Sequence, residues 1–279
     1  MTYKTIVTII PDAETGARVL DTAILVGSKN DSHIIAVHAE PSAAAYATPI
    51  GFPDAGVLET NIEEGRERAR ELKDRMTEKA RAAGVSLEWR DMESFIGDSA
   101  VAALSSAYCA DLVIAGQPEP GNAAAPADDV EALLFEGGRP VLFVPYAARM
   151  PSNIGRVLVA WNGTREAARA TFDAMPFLRE ADKVEVFTVD PPTNADQSGA
   201  VAGAEIAAVL ARHGVDVTVE TQISDGVPAS AIIENRLADT QADMLVMGAY
   251  SHSRLAERLF GGVTRTVLKS MPTITLMSR

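Results

Sequence analysis

The sequence is poor in cysteine and in basic residues. Its single cysteine, Cys109, excludes an intrachain disulfide and a zinc site built on cysteines, so we expect a cytoplasmic protein. Cys109 stands just before a predicted strand, and we expect its thiol to be buried and inert. Asp and Glu number 38 against 25 for Lys and Arg, which gives a formal net charge of −13. A field of this sign repels nucleic-acid backbones and anionic lipids, so we expect neither as a partner.

Long apolar runs are also missing. No run approaches the ~18 residues that a membrane span needs. The N-terminal residues 1–4 lead into a strand-like segment without the basic region and apolar stretch of a signal peptide. We therefore expect no membrane anchor and no export.

Several catalytic motifs are absent as well. The chain has no G-x-S-x-G elbow, no P-loop and no G-x-G-x-x-G. It therefore lacks the motifs that supply the nucleophile or bind the phosphates in hydrolases, kinases and dehydrogenases. His38-Ala39-Glu40 matches the H-x-E of zinc deaminases, but that chemistry also requires a cysteine pair. We predict no catalytic residue and no metal site.

The chain does have the composition of an ordinary globular protein. Apolar residues make up 47% and charged residues 23% of its 279 positions. This balance excludes disorder as the bulk state. The length predicts two domains or one large α/β unit.

The sequence contains an internal repeat, which indicates two domains. The matching segments keep the same order in both halves, and the repeat comprises Lys4–Val7 with Arg156–Val159, Val37–Pro41 with Phe187–Pro191, Ala110–Gly116 with Ala242–Gly248, and Pro140–Val144 with Pro272–Leu276. We predict domains at 1–147 and 154–279, joined by a linker around Pro151-Ser152-Asn153.

Apolar runs alternate with helical patterns in both halves, which predicts parallel sheets covered on both faces. In the second half the predicted strands are 155–161, 183–189, 215–222, 243–248 and 273–277, and the helices are 164–180, 198–213, 227–240 and 262–271. In the first half the predicted strands lie near 3–10, 33–39, 85–92, 111–116 and 140–145, with a charged, solvated helix at 59–83.

Ligands of open parallel sheets bind beyond the carboxyl ends of the strands. In the second half, the loops there are Trp161–Thr164 and Gly248–Arg254, and the latter leads to Gly261-Gly262-Val263-Thr264 at a predicted helix start. A glycine pair opening a helix lets backbone N–H groups approach a phosphate closely. Arg254 supplies a cation, and Ser251 supplies a hydroxyl.

These segments resemble the universal stress protein family, in its tandem form with two domains in one chain. The nucleotide-binding segment of that family reads Gly, two residues, Gly, nine residues, Gly, then Ser or Thr. This chain keeps the spacing as Gly248, Ser251, Gly261 and Gly262, but two of the four residue types differ. The Asp that meets adenine in the family corresponds here to Asn162.

The resemblance implies an α/β fold of two flavodoxin-like domains, each doubly wound around a five-stranded parallel sheet of order 3-2-1-4-5. It also implies that strands 140–145 and 272–277 pair at their edges about a pseudo-twofold axis, since unpaired edges invite partners. ATP or ADP is expected in the second domain only, with Mg²⁺ accompanying the phosphates. The residues expected to bind it are Asn162, Gly163, Thr164, Val189, Gly248, Ser251, Arg254, Gly261, Gly262, Val263 and Thr264.

The first half carries a degenerate version of the same segment. Glu119, Asp129 and Val130 stand where the second half has Ser251, Gly261 and Gly262, so charge and bulk oppose a phosphate. Its own glycine pair, Gly137-Gly138, is predicted to end a helix instead. We expect no ATP in this half.

We therefore expect a cytoplasmic stress-response protein that acts as a binding or regulatory module rather than an enzyme. Slow, incidental ATP hydrolysis is compatible with this expectation. Its expected partners are a nucleotide and either a second copy or another protein. The alternative is a nucleotide-free dimeric scaffold or interaction protein in which the motif is a relic.

Overall fold

The computed structural model describes residues 2–47, 51, 53–119, 130–147, 151–191, 203–249 and 262–279. The chain divides into two compact units, Thr2–Arg139 and Pro140–Arg279. Strand 140–145, which belongs to the first sequence repeat, is thus part of the second unit. In the described residues, no helix is long and apolar enough to cross a membrane.

The first unit is a parallel sheet in the order β3-β2-β1-β4. Val7 of β1 pairs with Ile35 of β2 on one side and with Val113 of β4 on the other. The elements are β1 (Thr5–Ile9), α1 (Ala13–Asn30), β2 (His33–Pro41), a 3-10 turn (Ala43–Tyr46), α2 (Ala55–Ala82), β3 (Leu87–Ser94), α3 (Ser99–Ala102), α4 (Leu104–Ala107), β4 (Leu112–Gly116) and α5 (Val130–Glu136).

The second unit contains the full predicted sheet. Its strands run parallel in the order β8-β7-β6-β9-β10, which confirms the 3-2-1-4-5 order. The elements are β5 (Val141–Val144), β6 (Arg156–Ala160), α6 (Arg165–Asp173), α7 (Met175–Glu180), β7 (Lys183–Val189), α8 (Ala204–Arg212), β8 (Val217–Gln222), α9 (Ala229–Thr240), β9 (Met244–Gly248), α10 (Val263–Ser270) and β10 (Ile274–Ser278).

Strand β5 lies antiparallel beside β10, with Phe143 opposite Thr275. The predicted pairing of the two edge strands is therefore confirmed. All four residues of β5 and all five of β10 are buried, so the pairing closes an apolar edge.

An aspartate ahead of the fourth strand joins distant segments in the same way in both units. Asp111 Oδ2 accepts hydrogen bonds from the backbone N–H groups of Lys4 (2.8 Å) and Thr5 (2.9 Å). Asp243 Oδ2 likewise accepts from Gly155 (2.9 Å) and Arg156 (2.8 Å). These bonds hold the start of each first strand beside the fourth.

Two predictions need correction. The helix predicted over 164–180 is two helices that meet at Ala174, because Pro176 has no N–H to continue the hydrogen bonding and its ring crowds the preceding turn. Cys109 is exposed rather than buried, because it lies in the short turn between α4 and the buried Ala110.

Helix α2 begins earlier than the predicted residue 59, because the side chain of Asp54 caps its first turn through the N–H of Gly56 (2.9 Å). Most of this helix is exposed. Its charged side chains pair along the helix, as between Arg81 and Glu78 at 2.7 Å, which confirms the predicted solvated face.

Candidate functional site

The sheet of the second unit has a topological switch point at β6, which is flanked by β7 on one side and β9 on the other. Loops on the two sides of such a point diverge and leave a crevice at the carboxyl edge. Of the expected binding residues, Ser251, Arg254 and Gly261 lie outside the described residues. The others occupy the ends of β6, β7 and β9 and the start of α10, and they are Asn162, Gly163, Thr164, Val189, Gly248, Gly262, Val263 and Thr264.

The loop after β6 is organised by Asn162. Its Oδ1 accepts hydrogen bonds from the backbone N–H of Thr164 (3.3 Å) and from the Thr164 hydroxyl (2.8 Å). A backbone N–H only donates, so the amide oxygen must point into the loop and the Nδ2 donor away from it. Thr164 Oγ1 in turn caps α6 by accepting from the Ala167 N–H (3.3 Å), so α6 begins where the predicted helix 164–180 begins. Gly163 between them has φ +71°, a conformation that favours glycine.

Gly248 ends β9 in close contact with the first turn of α6. A Cβ placed on it would lie 2.5 Å from the backbone nitrogen of Ala167 and 2.6 Å from the carbonyl carbon of Glu166. Any side chain here therefore forces the helix away from the strand. Gly116, at the end of β4, holds the matching position in the first unit, and there a Cβ would lie 2.3 Å from the Thr15 methyl group.

Glu166 was not predicted as part of the site. It lies in the first turn of α6 beside Gly248, its side chain is buried, and Arg165 Nε donates a hydrogen bond to its Oε1 at 2.5 Å. Burial raises the pKa of Glu166, but the hydrogen bond and charge of Arg165 and the bond from its own N–H hold that pKa below the usual value. No local sequence pattern indicates that Glu166 is buried, because its burial depends on how closely Gly248 approaches α6.

Helix α10 starts at the carboxyl edge of the sheet, because it connects β9 to the parallel strand β10 and must run opposite to both. Gly262 is its N-cap residue with φ −56° and ψ 150°, which any residue can adopt. The first turn contains no acidic side chain, and Thr264 within it is buried. The backbone N–H groups of this first turn and the helix dipole form a weakly positive end.

The corresponding segment of the first unit differs as predicted where it is described. Glu119 is exposed after β4, and Val130 is a buried residue at the start of α5. Gly138 has φ +62° and follows the end of α5, which confirms that the glycine pair ends a helix. Among the residues that the structure describes, no three His, Cys, Asp or Glu side chains form a group suited to a metal ion.

Comparison with known proteins identifies the second half of the chain. The model of the universal stress protein family matches residues 153–279. This half of the chain belongs to the universal stress protein family. A search of curated proteins finds no match to the chain.

Solved structures of universal stress proteins are similar to the chain over almost its entire length. One from Archaeoglobus fulgidus is 17% identical, with 99% of this chain and 96% of that chain covered and a TM-score of 0.75. A Pseudomonas aeruginosa protein assigned to the same group is 18% identical over 99% of this chain and 93% of that chain, with a TM-score of 0.64. At this identity the likeness shows the fold alone, and it extends the universal stress fold to the first half.

Proposed function

We propose that the second universal stress repeat binds a nucleotide, ATP or ADP, and that the protein is a cytoplasmic stress-response module that binds and regulates rather than an enzyme. The observation that carries the proposal is the switch point at β6, where the Asn162–Thr164 loop and the start of α10 share one edge of the sheet. A nucleotide spanning this crevice would have its base near the loop and its phosphates near the helix.

The start of α10 suits phosphate better than the start of α6. Both helices present an amino end to the crevice, but α6 carries the ionised Glu166 in its first turn, whereas the first turn of α10 carries no acidic residue. Gly262 has no side chain, so a phosphate oxygen can approach the first N–H groups of α10 closely. Ser251, Arg254 and Gly261 are proposed to complete this phosphate site.

The base would meet an amide donor rather than a carboxylate. Asn162 Oδ1 is occupied by Thr164, so Nδ2 is the group that remains for a ligand. A donor pairs with a ring nitrogen or carbonyl of a base, whereas a carboxylate pairs with an exocyclic amine. Mg²⁺, when present, would be held mainly by phosphate and water, because the described residues offer no cluster of metal ligands.

Nucleotide release and titration calorimetry on the whole chain test this proposal. Purified protein is denatured, released nucleotide is quantified, and ATP binding is then titrated to the emptied protein. We expect about one nucleotide per chain, and Gly262→Val should weaken binding about tenfold or more because it blocks the backbone approach. The φ of −56° accepts valine, so this variant should fold.

The control is Val130→Ala, the corresponding position in the first repeat, which should leave nucleotide binding unchanged. Two nucleotides per chain would contradict the assignment to the second repeat alone. Absence of binding at about 1 mM ATP would retire the nucleotide proposal. The scaffold alternative would then stand, supported by the pairing of β5 with β10.

A further inference from the structure

The first unit contains a cavity that the proposed nucleotide site does not use. Its volume is about 400 Å³, within the range of small-molecule sites. It opens between the carboxyl ends of β1 and β2, the start of α1 and one face of α2. Its lining residues include apolar Pro11, Pro41 and Leu72 and a set of charged side chains, and the charged ones are Asp12, His38, Glu40, Arg68, Glu71 and Arg75.

Asp12, which lines the cavity, has a buried carboxylate oxygen without a hydrogen-bond partner. Asp12 caps α1 through Oδ1, which accepts from the backbone N–H groups of Glu14 and Thr15, both at 2.8 Å. Its second oxygen, Oδ2, is buried and accepts no hydrogen bond. Leaving a buried acceptor unpaired is unfavourable, and more so when it is charged. A ligand with an N–H or ammonium donor would remove this cost.

The part of the lining that comes from α2 contributes guanidinium groups. Arg68 and Arg75 are seven residues apart on α2, so they lie on the same face of the helix. Arg68 pairs only loosely with Glu64, at 3.9 Å, and Arg75 has no ion-pair partner within 4 Å among the described residues. Guanidinium groups bind carboxylates through paired hydrogen bonds, so this part of the lining suits the anionic end of a ligand.

His38, another lining residue, is already engaged through both ring nitrogens. Its Nδ1 lies 2.8 Å from the carbonyl oxygen of Ile10, and its Nε2 lies 3.1 Å from Glu40 Oε1. Burial lowers the pKa of His38, but these two bonds, with the charges of Glu40 and Asp91, raise it above the usual value. With both ring nitrogens engaged, His38 holds Glu40 in place and is not available to a substrate, so the cavity is built for binding.

We propose that this cavity binds a small zwitterion of the amino-acid type, with its carboxylate on Arg68 and Arg75 and its ammonium group on Asp12 Oδ2. The apolar lining residues Pro11 and Leu72 contact the rest of the ligand. The carboxylates of Asp12, Glu40 and Glu71 disfavour a polyphosphate, and a lining that contains both carboxylates and guanidinium groups suits a ligand that carries both charges. The site lies in the first unit and is independent of the nucleotide proposal.

The test uses the whole chain and the proteinogenic amino acids, each screened at about 10 mM by thermal shift and then titrated by calorimetry. We expect at least one to bind at one per chain. Its desamino and decarboxylated analogues, which each lack one charge, should bind at least about tenfold more weakly. Failure of every amino acid to bind would overturn the proposal.

Two variants locate the site. Asp12→Asn keeps the capping oxygen and turns the unpaired acceptor into a donor, so binding should fall about tenfold while the protein stays folded. Arg75→Met should weaken binding similarly, whereas the control Arg70→Met, on the same helix but paired with Glu67 outside the cavity, should not. Binding that neither Asp12→Asn nor Arg75→Met affects, or ATP binding that Arg75→Met abolishes, would refute the assignment.

Discussion

Adding one methyl group to each of two equivalent glycines should have unequal effects on stability. In Gly248→Ala the new Cβ would meet backbone atoms of α6, 2.5 Å from Ala167 N and 2.6 Å from Glu166 C. Ordinary contacts begin near 3.4 Å, so the helix must move about 1 Å from β9. Overpacking of this kind lowers the free energy of unfolding by about 1–3 kcal/mol. We expect a loss of about 3 kcal/mol, because backbone atoms cannot relieve the clash by a side-chain rotation.

Gly116→Ala gives the matched comparison in the first unit. There the new Cβ would meet Cγ2 of Thr15 at 2.3 Å, and no other atom lies closer than 3.8 Å. A terminal methyl group can swing away by rotation about χ1, so we expect a loss of about 1 kcal/mol. The same substitution should thus differ by about 2 kcal/mol between the two repeats.

Urea unfolding followed by tryptophan fluorescence measures both losses. The chain has two tryptophans, Trp89 in the first unit and Trp161 in the second. Trp89→Phe makes the signal report the second unit, and Trp161→Phe makes it report the first. Equal losses of unfolding free energy, or a larger loss for Gly116→Ala, would refute the reasoning about what each Cβ meets.

Two further predictions follow from single side chains. Asp243→Ala should lower the free energy of unfolding by about 2 kcal/mol, because the N–H groups of Gly155 and Arg156 lose their acceptor; a loss below about 0.5 kcal/mol in urea unfolding would contradict this. Burial lowers the pKa of His38, but its bond to Glu40 helps to raise that pKa above 6.5 in the folded state. The resulting stabilisation is complete below about pH 6.5 and is lost as pH rises through the folded-state pKa. Glu40→Gln should therefore lower the His38 pKa in an NMR titration, and an unchanged value would argue against the ion pair.

Local sequence determined the elements of both repeats. Apolar runs at matching positions predicted the strands, and the predicted strand 183–189 agrees with Lys183–Val189 in the structure. Gly138 was correctly predicted to end a helix, and the helix predicted from residue 164 begins at the cap residue Thr164, because a cap depends on the side chain and backbone of a few adjacent residues. The order of the strands came from family resemblance, since periodicity alone does not determine which strands are neighbours.

Tertiary structure alone decided the contacts between residues far apart in the chain. The bond from Lys4 to Asp111 spans 107 positions, and that from Arg156 to Asp243 spans 87. No local pattern marks either aspartate as an anchor for a strand. The exposure of Cys109 was missed for the same reason, because burial depends on which elements cover a turn.

At the candidate sites, too, the sequence identified individual residues and only the tertiary structure revealed how they come together. Sequence spacing identified Gly248 and Gly262 as candidate binding residues. Only the packed structure shows that a Cβ on Gly248 would collide with α6, whereas the φ of Gly262 is one that any residue can adopt. The cavity in the first unit joins Asp12, Glu40 and Arg75 from three separate elements. Each of these residues has an ordinary local role in its own element. Their convergence exists only because the parallel sheet brings the carboxyl ends of β1 and β2 together beneath α2.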